Sequence, residues 1–158
     1  MNEVPERVLN TIPSATDDEI AKVKNLGSYI AALPQVKLET LHTLHDGVYT
    51  RSVMTPAGVL GVGVLIKIPT TLIISGDATA IMGDRTERIT GHHVVTAGAH
   101  RQQAFYAHDD TWVTMIFATD ARTIEEAEEQ FTDEVGLLMS RREDALNTIM
   151  GEDTKCLV

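Results

Sequence analysis

Six histidines are this chain's main stock of groups that could bind a metal or move a proton. His92 and His93 are adjacent in a segment that reads as a strand, so their rings face opposite sides and do not easily share one ion. Either could instead meet His100 and His108, because neighbouring strands of a barrel bring distant positions together. A cluster of His93, His100 and His108 would suit zinc, nickel or iron. The plainer reading gives each histidine its own hydrogen bond at the surface or at a corner. His42 and His45, three apart just before Asp46-Gly47, lie where a loop is expected and could be read as a metal-binding pair.

Cationic groups suggest other chemistry. His100-Arg101 could bind a phosphate or carboxylate, since guanidinium presents a fork of donors that matches those oxygens. His108-Asp109-Asp110-Thr111 could pass for an acid–base pair, but it also fits a strand-to-strand corner whose aspartates bond their own backbone. Nucleophilic catalysis finds little support: Cys156 lies in the tail, and no serine sits in a strand-turn-helix elbow. Gly61-Val62-Gly63 lacks the third glycine and the helix of a dinucleotide site, and reads as a strand packed close to another backbone.

The elements that must position these groups are mainly strands. Thr16-Asp17-Asp18-Glu19 is a capping box, and Ile20, Val23, Leu26, Ile30 and Leu33 follow at helical spacing until Pro34. From Val36 the period changes to two. A first strand is expected around Val36, Leu38 and Thr40, and a second from Val48, with Tyr49, Arg51 and Val53 on one face. The run from Val59 to Ile68 is apolar on both faces, as in a strand buried inside a barrel. Short strands follow, punctuated at Gly76-Asp77, Gly83-Asp84, Gly91 and Ala97-Gly98, and the last ends at Thr119. Turns every eight to twelve residues or so are the pattern of a jelly roll or barrel.

After Asp120 the period is helical again. Thr123-Ile124-Glu125-Glu126 is a second capping box, and Ile124, Ala127, Phe131, Val135 and Leu138 form one stripe. Ala145, Leu146 and Ile149 continue it or start another turn. The expected organisation is an arm and helix over 1–35, a barrel over 36–119 and a helical tail over 120–158, together one domain.

A chain of 158 residues can bury a sizeable single core. Its net charge of −10 repels nucleic-acid backbones and anionic membranes, so neither is an expected partner. Between Asp120 and Glu134 the acids face only Arg122, which reads as the solvated side of a helix. One cysteine cannot form an internal disulfide, which fits a reducing compartment. The opening residues carry acids and a proline where a signal peptide needs basic then apolar residues. The apolar run from Gly58 to Ile66 falls far short of the ~20 residues of a membrane span. A cytoplasmic location is expected.

Three pieces of the chain together resemble a small single-domain cupin, of a type often encoded by bacteriophages. They are DGVYTRSVMTPAGVLGVGV, LIISGDATAIMGDRTERITG and AGAHRQQAFYAHDDTWVTMI, which together span about half the sequence. The resemblance implies a cupin-like jelly-roll barrel with an N-terminal and a C-terminal helix. It also implies a site, because such cupins place a His-x-x-x-His pair before the strand equivalent to LIISGD. Lys67 and Thr71 stand at those positions here, and Ile116-Phe117 stands where a later histidine is frequent. An ammonium has no lone pair to donate, so the usual metal constellation is not expected.

On that register Lys67 points into the barrel mouth, a cation for an anionic or carbonyl-bearing ligand. Alternatively it snorkels to solvent or pairs with a barrel acid, since a slip of one residue turns it outward. The expected protein is a non-enzymatic, phage-encoded, homo-oligomeric cupin that holds a small anionic molecule, with nucleotide-like ones among the candidates, without a cofactor. Its ligand would meet Lys67, Thr71, His100, Arg101 and Trp112 over apolar walls from Val64, Ile66 and Ile73. Two alternatives stand beside this. One is a phage structural or assembly protein, in the virion, with a filled barrel. The other is an enzyme using a divalent transition metal at a rearranged histidine site.

Overall fold

In the computed structural model, which describes residues 10–150, the elements run β1 (Thr11–Ile12), α1 (Asp17–Ala31), β2 (Glu39–His45), β3 (Val48–Thr55), β4 (Leu60–Val62), β5 (Thr70–Met82), β6 (Arg85–Ala97), β7 (Ala104–Ala107), β8 (Thr111–Ala118), α2 (Ile124–Phe131) and β9 (Leu146–Met150). Among the described residues the chain is mainly β, with nine strands in one branched sheet and two α-helices, α1 and α2. The first nine residues and Cys156, for which the sequence raised expectations, lie outside the described residues.

The first capping box forms as expected. Thr16 Oγ1 accepts from the Glu19 N–H at 3.2 Å, and the Glu19 carboxylate accepts from the Thr16 N–H at 3.4 Å. The helix it starts buries Ile20 and Val23. At Asp46-Gly47 both residues are left-handed, with φ of 46° and 79°, which a two-residue hairpin of matching twist requires. The hairpin therefore pairs His45 directly with Val48, and His42 sits inside a strand rather than in the expected loop.

Strands β5 and β6 carry the architecture. They pair over thirteen residues each, from Thr70↔Ala97 to Met82↔Arg85, joined at the expected Gly83-Asp84 turn. The turns expected at Gly76 and Gly91 are instead a bend within both strands. The two glycines face each other in register, with φ of 147° and 82°. A side chain at Gly76 would lie 2.7 Å from the Asp110 carbonyl, so only glycine lets the corner strand cross there. Beyond the bend, β5 leaves the broad sheet β1-β6-β5-β8-β3-β2-β9 and pairs with β7, which in turn pairs with β4.

Two long elements read from the sequence prove shorter. Of residues 59–68 only Leu60–Val62 is a strand; Ile66 makes a single bridge to Arg101. The helical stripe after Asp120 stops at Phe131, because Thr132 is extended and its hydroxyl donates to the Leu65 carbonyl at 2.7 Å. Two single 3-10 turns follow, at Val135–Leu137 and Met139–Arg141. The segment from Leu146 is then a strand, not more helix, and lies parallel along the edge of β2. It covers backbone groups that an edge strand would otherwise leave open. No described helix is long and apolar enough to cross a membrane.

Candidate functional site

The inner face of the broad sheet meets the tail where a barrel would keep its pocket. Tyr49, Leu72, Ile74, Val95, Met115 and Phe117 point inward, and Ala127, Phe131 and Leu138 of the tail join them in one core. Phe131 lies parallel to Tyr49 at 6.3 Å between ring centres and edge-on to Phe117 at 6.1 Å. Such aromatic pairs add stability beyond the area they bury. The interior at this end is filled with the protein's own side chains.

An ionic cluster closes the same region. Glu128, only 2% exposed, accepts from Arg51 at 3.0 Å and from Arg141 at 2.6 Å. Ser140 donates to the same carboxylate and accepts from Arg51 at 2.9 Å. Burial works to raise Glu128, but Ser140, Arg141 and Arg51 outweigh it and hold its carboxyl below the usual range. Next to Arg51, His42 is buried between Tyr49 and Asn147, at 2.8 and 2.9 Å. The Asn147 amide donates to the Ser140 carbonyl, so its oxygen faces His42. His42 Nε2 therefore carries the proton, and Nδ1 accepts from the Tyr49 hydroxyl. Burial pushes Tyr49 up to about 12.

Of these residues the sequence offered only His42, read with His45 as a metal-binding pair in a loop. That pair does not form, because His42 is turned into the core by its strand. The only other signal was the alternation that put Tyr49 and Arg51 on one face. Glu128 belongs to the acidic run that reads as a solvated helix side, and here that reading is corrected.

The residues the sequence did nominate are scattered. Lys67 does not point into the barrel; it is exposed and its ammonium lies 2.6 Å from Asp133, itself 84% exposed. Ile73 and Trp112 are not barrel walls. They occupy the outer face of the broad sheet, opposite in parity to the buried Ile74, and Trp112 is 43% exposed. Val64 and Ile66 do pack against the core, half-buried. His100 and Arg101 diverge: His100 has φ of 57° and points to Asp17 at 3.0 Å, whereas Arg101 turns inward and is 2% exposed.

Arg101 is a buried cation with neutral partners. It donates to the carbonyls of Gly98 at 2.6 Å and Ile68 at 3.2 Å and to the Thr70 hydroxyl at 2.7 Å, while its Nε has no acceptor. Among the described residues no carboxylate pairs with it, and burial brings it down to about 10. Thr70 and Ile68 form part of a shallow, open cleft of about 790 Å³ on the barrel rim, with Thr71, Thr96, Ile116 and Gln130. Thr71 is the nominated ligand residue that lines this cleft.

The histidine cluster does not form. His93 bonds the Thr90 carbonyl, His100 reaches Asp17 and His108 bonds Thr79. Among the described residues no three histidines, cysteines or carboxylates gather as a metal would require. His108-Asp109-Asp110 is the corner expected of it: the Asp109 carboxylate accepts from the next N–H, and Asp110 accepts from Ala57.

No protein-family model matches the chain, and no curated protein matches it. Among solved structures it is similar in shape to ectoine synthase from P. lautus, at 15% identity and a TM-score of 0.46, over 63% of this chain and 76% of that one. It is also similar to an RmlC-like cupin with a double-stranded β-helix fold from Methanocaldococcus jannaschii, at 12% identity and a TM-score of 0.44, over 55% and 92%. A cupin-2 domain protein from Shewanella frigidimarina matches at 10% identity and a TM-score of 0.42, over 63% and 97%. At these values the likeness is one of architecture and says nothing of a ligand.

Proposed function

We propose that this is a non-catalytic cupin-like protein whose barrel is filled by its own tail and which acts through its surface, as a structural or assembly component. One observation supports the reading: Phe131 packs in the barrel end against both Tyr49 and Phe117, beside the Arg51–Glu128–Arg141 cluster. A reaction centre needs space for a substrate beside its reactive groups. Here the convergent polar groups satisfy one another.

The test is a thermal-shift series of the chelator-free protein with first-row divalent metals, alongside metal analysis. No stoichiometric metal and no interior-dependent stabilisation are expected. One metal per chain, lost on changing His42 or Tyr49, would overturn the reading.

A second reading, a small anionic ligand, is favoured by Arg101. Its uncompensated charge lies directly behind Thr70 and Ile68 of the rim cleft. An anion there would gain from that charge and from the Thr71 hydroxyl. Stabilisation by phosphate, carboxylates or nucleotides that is lost in Thr70→Val and Thr71→Val supports it, and unchanged stabilisation in those variants removes it.

A further inference from the structure

The rim cleft has opposite polarity at its two ends. Ile68 and Pro69, just before β5, and Thr70 and Thr71, its first residues, line one end; Asp120 and Gln130 of the tail line the other. The β5 end is positive. Arg101, 2% exposed, donates to the Ile68 carbonyl and to the Thr70 hydroxyl, and its Nε meets no acceptor. A hydroxyl both gives one proton and receives others. The Thr70 oxygen receives from Arg101 at 2.7 Å, and among the described residues its own proton meets no acceptor. Thr71 adds the next hydroxyl along the strand. Around a buried guanidinium the dielectric is low, so its charge reaches past Thr70 more strongly than it would through water.

The opposite end is negative, and a relay of hydrogen bonds fixes it. The Ala121 N–H donates to the Thr119 hydroxyl at 3.0 Å, and that hydroxyl donates to the Gln130 side-chain oxygen. The Gln130 amide nitrogen then donates to Asp120 Oδ1 at 2.7 Å. The relay settles which way the Gln130 amide points and holds the carboxylate through one oxygen. Among the described residues no lysine or arginine pairs with Asp120, and its second oxygen has no protein donor. Between the two ends Ile68, Pro69 and Ile116 supply apolar surface. Apolar walls with a few placed polar groups are the ordinary make-up of a small-molecule site.

We propose that the cleft takes a short zwitterion, its carboxylate at Thr71 in the field of Arg101 and its ammonium on Asp120. The proposal rests on the anion reading of this cleft and narrows it. A plain anion would suit only the β5 end, and would approach a chain of net charge −10 with Asp120 close by. A positive group on the same molecule turns that repulsion into attraction. Register sets the size. Ile116 is the partner of Thr71, and Asp120 comes four residues later. At about 3.3 Å per residue the two ends are at most roughly 13 Å apart. A hydrogen bond of about 2.9 Å at each end leaves roughly 7 Å between the ligand's charges. An amine four methylenes from a carboxylate spans that gap, whereas an α-amino acid does not.

Isothermal titration calorimetry of the full chain with 5-aminopentanoate, pentanoate and pentylamine is the test, since the last two each carry one of the charges alone. The amino acid is expected to bind about fivefold or more tighter than either, the upper range for an exposed ion pair. Asp120→Asn, an exposed and nearly isosteric change, is expected to bring 5-aminopentanoate down to the level of pentanoate with unchanged circular dichroism. Thr71→Val is expected to weaken both carboxylates and to leave pentylamine as it was. Pentanoate bound as tightly as 5-aminopentanoate, or a preference that survives Asp120→Asn, overturns the zwitterion and leaves the anion reading standing. Wild-type protein that binds neither carboxylate removes both.

Discussion

Arg51 and Arg101 are both nearly removed from water, and they are held in opposite ways. Arg51 meets a carboxylate and a hydroxyl that come from α2 and from the 3-10 turn after it, far along the chain. Arg101 meets the carbonyls of Ile68 and Gly98 and the hydroxyl of Thr70 at the start of β5, and no carboxylate among the described residues. The first arrangement fastens the tail to the barrel. The second stiffens a local corner. A buried charge repaid by an opposite charge depends heavily on its partner, whereas one spread over neutral acceptors depends on each of them less.

Removing the shared carboxylate is the strongest way to break this contrast. Glu128→Ala leaves Arg51 without a counter-charge and is expected to cost about 3–5 kcal/mol. Urea denaturation measures it, and a loss below about 1 kcal/mol would show that the cluster does not hold the tail. The double variant Arg51→Met/Glu128→Leu is expected to regain most of the loss, because an apolar pair of similar volume avoids the desolvation penalty. Arg141, 27% exposed, can then turn to water. Arg101→Met comes next, at about 1–3 kcal/mol for the acceptors left without donors. A cost equal to that of Glu128→Ala would erase the distinction between the two sites.

The Arg51 side also sets a pH dependence. Burial, then the charge of Arg51, lower His42, while Asn147 and the more distant Glu128 and Glu125 act the other way. The net direction is down from the ordinary 6.5. The folded state thus binds this proton less readily than the unfolded chain. Stability is full above 6.5 and falls as the pH drops towards the lowered folded value, below which no more is lost to this group. His42→Gln should flatten that decline between neutrality and the carboxylate range, as read by thermal unfolding. An unchanged slope would assign the effect to other groups.

Much of the frame was legible because local chemistry dictates it. The Thr16 capping box, the Asp46-Gly47 and Gly83-Asp84 turns and the period-two rhythm each follow from a few adjacent residues. Gly76 and Gly91 misled for a physical reason: a glycine that ends a strand and one that bends it through a corner look alike until the partner strand is known. The tail misled similarly. Its stripe is helical in spacing, but Thr132 finds Leu65 and leaves the helix. The candidate site was the least legible part, because Arg51, Glu128, Ser140 and His42 acquire meaning only by contact across most of the chain length.

Lys67 marks the weakest end of the scale. Its side chain reaches an exposed aspartate across solvent, a kind of pair worth little once screening and side-chain entropy are counted. Lys67→Met is therefore expected to change stability by no more than about 0.5 kcal/mol. The backbone at the same position is another matter, since the Lys67 N–H donates to the Phe131 carbonyl at 2.8 Å, at the end of α2. Proline there removes that donor and should cost more than methionine does, on the order of 1–3 kcal/mol. If Lys67→Met proved the more damaging of the two, the ammonium would have a partner beyond Asp133, and the contrast between buried and exposed cations would need a third member.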